Sequence, residues 1–356
     1  MGGSLGRALI AAGARDVRGV DPDPAVGADA VALGALTCVA PTIGEALAGA
    51  RVAFVGAPIG VMGDVLADVL RAAPDDCVVS DLGSAKAGVV ASVPVGERHR
   101  FVGGHPICGG ERSGVAAGRG DMFRGATWFL TPTGEVRPEL FQRLHAHVAA
   151  VGARPVAIDA DVHDRLMALV SHVPHVLASA LVDQGAATTP GGREALRSAG
   201  PSFADLTRVA GSNPPLWADI FLANRDALLD ALRDYRGRLE DVERDLAAGD
   251  REALTGFVAR AAEGRERLRR DWADHDGQPW RLVVSVPNRP GVLSEIVTAL
   301  GHAHINIEDM ALHQSSPEGG ELLLTVVGGA TAADAEGLVA ALGYAVTRTP
   351  DPADGA

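Results

Sequence analysis

In the first part of the chain, apolar residues fall in short runs separated by longer stretches in which they recur every three or four positions. Val17 to Val20, Arg51 to Gly56, Cys77 to Ser80 and Ala126 to Thr131 read as strands. Ser4 to Ala12, Gly63 to Ala73 and Leu140 to Val151 carry the helical spacing. This alternation predicts a parallel sheet with helices on both faces. From about Asp161 to Trp272 the pattern changes to long helical periods with no convincing strand. Val162 to Gly185 comes first, with a kink expected at Pro174; a run opened by Pro214 and Pro215 goes from Leu216 into Arg238, and Arg251 to Trp272 follows. The polar D-H-D-G-Q-P of Asp274 to Pro279 reads as a linker. Beyond it Leu282 to Val286, Gly291 to His302, Ile305 to His313, Glu321 to Val327, Ala332 to Leu342 and Tyr344 to Thr347 follow the βαββαβ order of a ferredoxin-like module. The closing D-P-A-D-G-A reads as disordered.

At 356 residues the chain should hold more than one domain. Its 32 basic and 45 acidic residues give a formal charge of -13, which argues against a nucleic-acid or anionic-membrane surface and leaves any anionic substrate to local cations. Cys38, Cys77 and Cys108 form neither a disulfide framework nor a spaced metal site, so a reducing, cytoplasmic setting is expected. No apolar stretch is expected to reach membrane-spanning length, and the start of the chain lacks a signal-peptide pattern.

The densest chemistry lies in G-G-H-P-I-C-G-G-E-R-S-G, Gly103 to Gly114, where His105 stands between glycines and a Pro, with Glu111 six positions later. Upstream, S-D-L-G-S-A-K from Ser80 to Lys86 takes a strand end into a small-residue turn, where open parallel sheets present groups to ligand. The two segments should meet across one crevice. M-G-G-S-L-G opens a helix directly, and Asp21 follows a strand about twenty residues on, placed as the acid that accepts the ribose hydroxyls of NAD. Gly2 fits only the third glycine of G-x-G-x-x-G, the one that lets helix and strand pack closely. The expectation is therefore a sheet lacking its first strand, in a chain begun roughly a dozen residues late. Asp21 without an adjacent Arg favours NAD over NADP.

These motifs, with S-H-V-P-H-V-L-A-S-A-L, D-L-T-R-V-A, L-W-A-D-I-F-L-A-N-R and N-R-P-G-V-L-S-E-I, closely resemble the prephenate and arogenate dehydrogenases of tyrosine biosynthesis that carry a C-terminal ACT domain. The resemblance implies an α/β fold: a Rossmann-like dinucleotide-binding domain over residues 1–156, an all-helical substrate and dimerisation domain over 157–273, and a βαββαβ ACT domain over 280–349. It also implies a homodimer that carries out NAD-dependent oxidative decarboxylation of prephenate, with arogenate as the alternative substrate. A catalytically impaired amino-acid sensor is the reading of another class. The 2-hydroxyacid dehydrogenases with ACT domains also use a His beside a Pro, but insert the dinucleotide domain within the substrate domain.

By the same resemblance His105 is the base, against a structural loop histidine. Ser84 hydrogen-bonds the substrate hydroxyl and orients His105, against a role capping a helix begun near Ala85. Arg208 binds the substrate carboxylate in two parallel bonds. His175 and Trp217 line the pocket, with a core role for Trp217 equally open, and Glu111 orders His105 or a gate. Gly2, Asp21, Ala57, Pro58 and Ser84 are the cofactor contacts. Ala204 stands where some relatives carry a basic residue, so one anionic contact is in doubt. Asp161, His163, Asp164, His172 and His175 invite a metal reading, set aside because Pro174 disturbs the helix and hydride chemistry needs no Lewis acid. Cys108 is expected to be a small apolar residue under the loop. In the ACT domain Asn288, Pro290, Gly291, Val292 and Leu293 form the carboxylate site, faced by Asn306 and Ile307 on the next strand. L-tyrosine is its expected ligand, with purely structural dimerisation as the alternative.

Overall fold

A computed structural model describes residues 1–109, 114–187, 199–273, 279–303, 305–316 and 319–350. The chain forms two compact units, Met1–His163 with Arg269–Ala356, and Asp164–Leu268.

In the first unit, β1 (Arg18–Gly19) and β2 (Cys38–Val39) pair in parallel as a separate small sheet. The main sheet runs β3 (Val52–Val55), β4 (Val78–Asp81), β5 (Phe101–Pro106), β6 (Thr127–Pro132) and β7 (Arg154–Ala157), in that order. Each strand expected from sequence is present within a residue or two. The sheet is not wholly parallel, however, because β6 pairs antiparallel with β5. An antiparallel neighbour needs no helical crossover, and the β5 to β6 connection carries only two short 3-10 turns among its described residues. β5 and β7 are not legible as strands. β5 contains two glycines and a proline, and β7 holds Pro155, which an edge strand tolerates.

Helices cover both faces. On one, Leu5 and Ala8 of Gly2–Ala11 and Leu140, Phe141, Leu144 and Val148 of Pro138–Ala150 pack with Phe123 and Trp128. On the other, Met62, Leu66 and Leu70 of Met62–Ala72 meet Val55, Val79 and Phe101. Close approach of the first helix falls at Gly6, where a Cβ would lie 1.9 Å from Ala35 O, whereas a Cβ on Gly2 would meet nothing within 4 Å. The tight packing of this helix therefore falls at Gly6, against the bend at Ala35 before β2.

The C-terminal module has the order β11-β8-β10-β9, with β8 Pro279–Pro287, β9 Asp309–Ser316, β10 Gly319–Val327 and β11 Ala345–Pro350, every pair antiparallel. This is the ferredoxin-like arrangement, with helices Val292–His302 and Gly329–Ala341. Asn306 and Ile307, expected on a strand, precede β9. Asn306 Nδ2 donates to Glu308 Oε1 at 2.6 Å, and Ile307 is core. Although a polar linker precedes it, the module shares one continuous apolar cluster with the main sheet. Ser294 Oγ donates to Thr133 O at 2.9 Å, Gln142 Nε2 to Met310 O at 3.3 Å, and a Cβ on Gly301 would lie 1.4 Å from Ala157 O.

Every regular element among the described residues of the second unit is helical, with Val173–Ala187, Pro201–Thr207, Pro214–Ala223, Arg225–Ala248 and the start of Arg251–Ala273. Gly249, at φ +65°, ends Arg225–Ala248 in the left-handed conformation. The irregularity expected at Pro174 falls just before it, in a π turn at Ala168–His172. Opening the ladder there leaves Pro174 near the start of the next helical segment, where its missing N–H costs little. The run Ala160–Ala187, with mean hydropathy 1.5 over an 18-residue window, is long and apolar enough to cross a membrane by length and composition, contrary to the expectation that no stretch reaches that length. It also carries the buried His163, Asp164, His172 and His175, which would be costly in lipid.

Candidate functional site

The carboxyl end of β4 supplies the organising group. Asp81 is fully buried and pairs with the equally buried Lys86. Its Oδ2 also accepts from Gly83 N at 2.8 Å, while Oδ1 accepts from Gly104 N at 3.0 Å. One carboxylate therefore ties the turn that bears Ser84 to the strand that bears His105, the two segments expected to meet. Two charges withdrawn from water are tolerable because the carboxylate has several donors; removing either partner would take from the other the opposite charge of this pair. Neither Asp81 nor Lys86 was singled out from sequence. The available signal was an acid and a lysine five positions apart, flanking Gly83 and Ser84.

The glycines before His105 are required by proximity rather than by φ. A Cβ on Gly103 would lie 2.3 Å from Thr131 Oγ1, and one on Gly104 2.6 Å from both Asp81 O and Ser80 Oγ. His105 is half-buried, with Nδ1 2.9 Å from Nε2 of His163. His163 is fully buried and stands edge-on to Phe129, with ring centroids 5.5 Å apart at 81°. Ser84 is half-buried and does not cap the following helix, which starts at Ala87 rather than Ala85 and has Lys86 at the cap position with no side-chain cap bond. Burial pushes the Cys108 thiol up to about 11, so it is protonated at neutral pH, and the residue packs against the apolar core.

Among the expected cofactor contacts, Gly2 is exposed at the start of its helix, and a Cβ on Gly56 would make ordinary contact with it, 3.8 Å from Gly2 N. Ala57, half-buried, and Pro58, exposed, follow β3. Asp21 is exposed beyond β1, and its Oδ1 accepts from Asp23 N at 2.9 Å. Glu111 lies outside the described residues.

In the second unit His175 stacks on Trp217 with ring centroids 3.6 Å apart, and Phe221 lies edge-on at 5.8 Å. Burial lowers the pKa of His175, which favours its neutral ring. Trp217 is half-buried, not a core residue. His172 stands edge-on to the same Trp217, with ring centroids 6.1 Å apart, and Asn224 Nδ2 donates to its Nδ1 at 3.1 Å and to Asp164 O at 2.8 Å. Asn224, 4% exposed, is another residue the sequence reading missed, although it stands inside L-W-A-D-I-F-L-A-N-R. Arg208 is exposed and opens the 3-10 turn Arg208–Gly211, past the end of a helix rather than within one. In the C-terminal module Gly291, at φ +87°, opens Val292–His302. Asn288 and Pro290 are exposed, but the side chains of Val292, Leu293 and Ile307 are at most 4% exposed and can offer a ligand only backbone.

Fold and site together define a dinucleotide-binding α/β protein with a helical domain and a ferredoxin-like module. Family models match the nucleotide-binding domain of prephenate dehydrogenase over residues 5–157, its dimerization domain over 159–260, and an ACT domain over 280–336. The chain is 31% identical over 239 residues to a prephenate dehydrogenase of Bacillus subtilis, covering 67% of this chain and 64% of that one. It is 30% identical to a cyclohexadienyl dehydrogenase of Zymomonas mobilis, covering 67% of this chain and 80% of the other. The match to the Bacillus protein thus spans less than two thirds of that relative. A crystal structure of Aquifex aeolicus prephenate dehydrogenase with hydroxyphenyl propionate and NAD+ superposes with a TM-score of 0.70 at 26% identity, covering 75% of this chain and 94% of that one. The chain belongs to the prephenate dehydrogenase family.

Proposed function

We propose that the protein oxidatively decarboxylates prephenate to 4-hydroxyphenylpyruvate with NAD. The observation that carries this reading is the Asp81 carboxylate, which fixes the Ser84 turn against the His105 strand at the carboxyl ends of adjacent strands. The residues present fit a nicotinamide dinucleotide. The helix start at Gly2 has open space where a Cβ would stand, its first turn holds no acidic residue, and Asp21 offers an exposed carboxylate beyond β1. NAD, when bound, supplies the hydride acceptor. Gly2, Asp21, Ala57, Pro58 and Ser84 are the contacts assigned to it.

His105 takes the proton of the ring hydroxyl as that carbon is oxidised, and Ser84 holds the same hydroxyl in place. Arg208 grips the side-chain carboxylate, His175 and Trp217 shape the pocket around the ring, and Glu111 orders His105 or a gate. The B. subtilis relative is named for prephenate, which supports that substrate. Arogenate, differing only in carrying an amino acid in place of the keto acid, is the second reading. The domain matched at 159–260 supports a homodimer, as do exposed Leu239, Leu246, Phe257 and Val258 in the long helices. In the ACT module we assign L-tyrosine to Asn288, Pro290 and the backbone of Gly291 to Leu293. A cytoplasmic location goes with this role. NADH formation measured with prephenate and with arogenate tests the reading; turnover of neither, alongside tyrosine binding, would favour the amino-acid sensor.

A further inference from the structure

Resting on His105 as the base, we propose that His163 is a positioning residue that sets the tautomer of His105 and holds the proton's charge once it is taken up. Nδ1 of His105 and Nε2 of His163 are 2.9 Å apart, so one of them carries a proton and the other a lone pair. If the proton sits on His163, neutral His105 must carry its own on Nε2, and that nitrogen has no lone pair for a substrate proton. If it sits on Nδ1 of His105, Nε2 carries a lone pair and lies on the side of the ring away from His163. Only the second arrangement gives a base, and it requires His163 to be an acceptor at Nε2.

The surroundings hold His163 in that place. It lies one turn into Ala160–Met167, whose start is fixed by Asp159 Oδ1, which accepts from Asp161 N at 2.9 Å and Val162 N at 3.1 Å. Its fully buried ring stands against Phe129, the register partner of His105 across β5 and β6. The acceptor, the base and the aromatic spacer thus come from three elements, with the His105 and His163 rings at 68°. In the proposed reaction the substrate O–H bond breaks, its electron pair becomes the carbonyl bond as hydride departs to NAD, and the proton bonds to His105 Nε2. The resulting imidazolium still carries Nδ1–H, which donates to Nε2 of His163 in a charge-assisted bond stronger than the one before transfer. The interaction therefore strengthens as charge develops, which is where an acceptor aids the rate. His163 touches neither substrate nor cofactor in this scheme.

The test compares His163→Phe, His163→Gln and His105→Asn in the full chain, with NADH formation and thermal unfolding read for each. His163→Phe keeps the ring against Phe129 but lacks an acceptor; it should lower kcat by roughly 10- to 100-fold, the worth of a hydrogen bond to a charged group, and leave KM for prephenate and NAD unchanged. His163→Gln offers an amide oxygen and should recover most of that loss. A second reading, nitrogen NMR of the wild-type histidines with His105 assigned through His105→Asn, should show His105 protonated at Nδ1 and bare at Nε2. Wild-type kcat in His163→Phe while His105→Asn is inactive would overturn the proposal alone, as would a proton on His105 Nε2. Wild-type turnover in His105→Asn would overturn the base assignment as well.

Discussion

Asp81→Asn removes the charge from the group on which the site is built, at almost constant volume. The amide oxygen can still accept from one of Lys86 Nζ, Gly83 N and Gly104 N, but the amide nitrogen is itself a donor and faces the others. The larger loss is at Lys86, which stays in a fully buried position and loses the opposite charge of Asp81. Breaking one side of a buried pair costs roughly 3 to 5 kcal/mol, which lowers Tm by on the order of 6 to 20 °C in a unit of this size. The substitution should also lower turnover, because the Gly104 amide no longer fixes the strand that bears His105. The informative control is the double variant Asp81→Asn with Lys86→Met. It removes the buried cation as well and should regain most of the stability, while turnover stays low. Circular-dichroism melting and NADH formation on wild type, single and double variants supply the readings. An unchanged melting temperature in Asp81→Asn, or a double variant no more stable than the single, would refute the reasoning.

His145 is buried beneath the C-terminal module, and burial pushes its pKa down to about 4, with Asp309 opposing. The neutral folded form contributes stability that is complete above the unfolded value near 6.5 and lost as pH falls toward 4, on the order of 3 kcal/mol. Denaturant midpoints measured between pH 7 and 4 should therefore fall, and His145→Phe should flatten that slope. Gly301→Ala puts a methyl against Ala157 O and should cost about 1 to 3 kcal/mol or more by prising the module from the sheet, seen as a lower melting temperature and as faster proteolysis of the module. Arg208→Ala should act on KM for prephenate, by about 2 to 5 kcal/mol, and leave NAD affinity unchanged; an unaltered KM would remove Arg208 from the site.

Much of the element order was legible because short apolar runs and helical periods differ in length as well as in period, as Arg51 to Gly56 and Gly63 to Ala73 illustrate, but β2, β5 and β7 were not. Strand direction was not: A-T-W-F-L-T reads the same whichever way it runs beside β5. Motif spacing located the Ser84 turn and His105 but not the buried pair beneath them, since a pattern gives a residue's position and not its partner. The same limit misplaced roles in the C-terminal module. N-R-P-G-V-L marks a turn into a helix, but Val292 and Leu293 point into the core, which leaves the ligand role to backbone. His163 was grouped with His172 and His175 by nearness in sequence, while in three dimensions it meets His105 and His172 meets Asn224.

The central claim is that His105, held at the carboxyl ends of β4 and β5, is the base of an NAD-dependent decarboxylating oxidation. The most direct measurement is the turnover of prephenate by His105→Asn beside wild type, followed by NADH formation with NAD affinity determined separately. A loss of roughly 10²- to 10⁴-fold in kcat with nearly unchanged NAD binding is expected. Turnover within experimental error of wild type would contradict it.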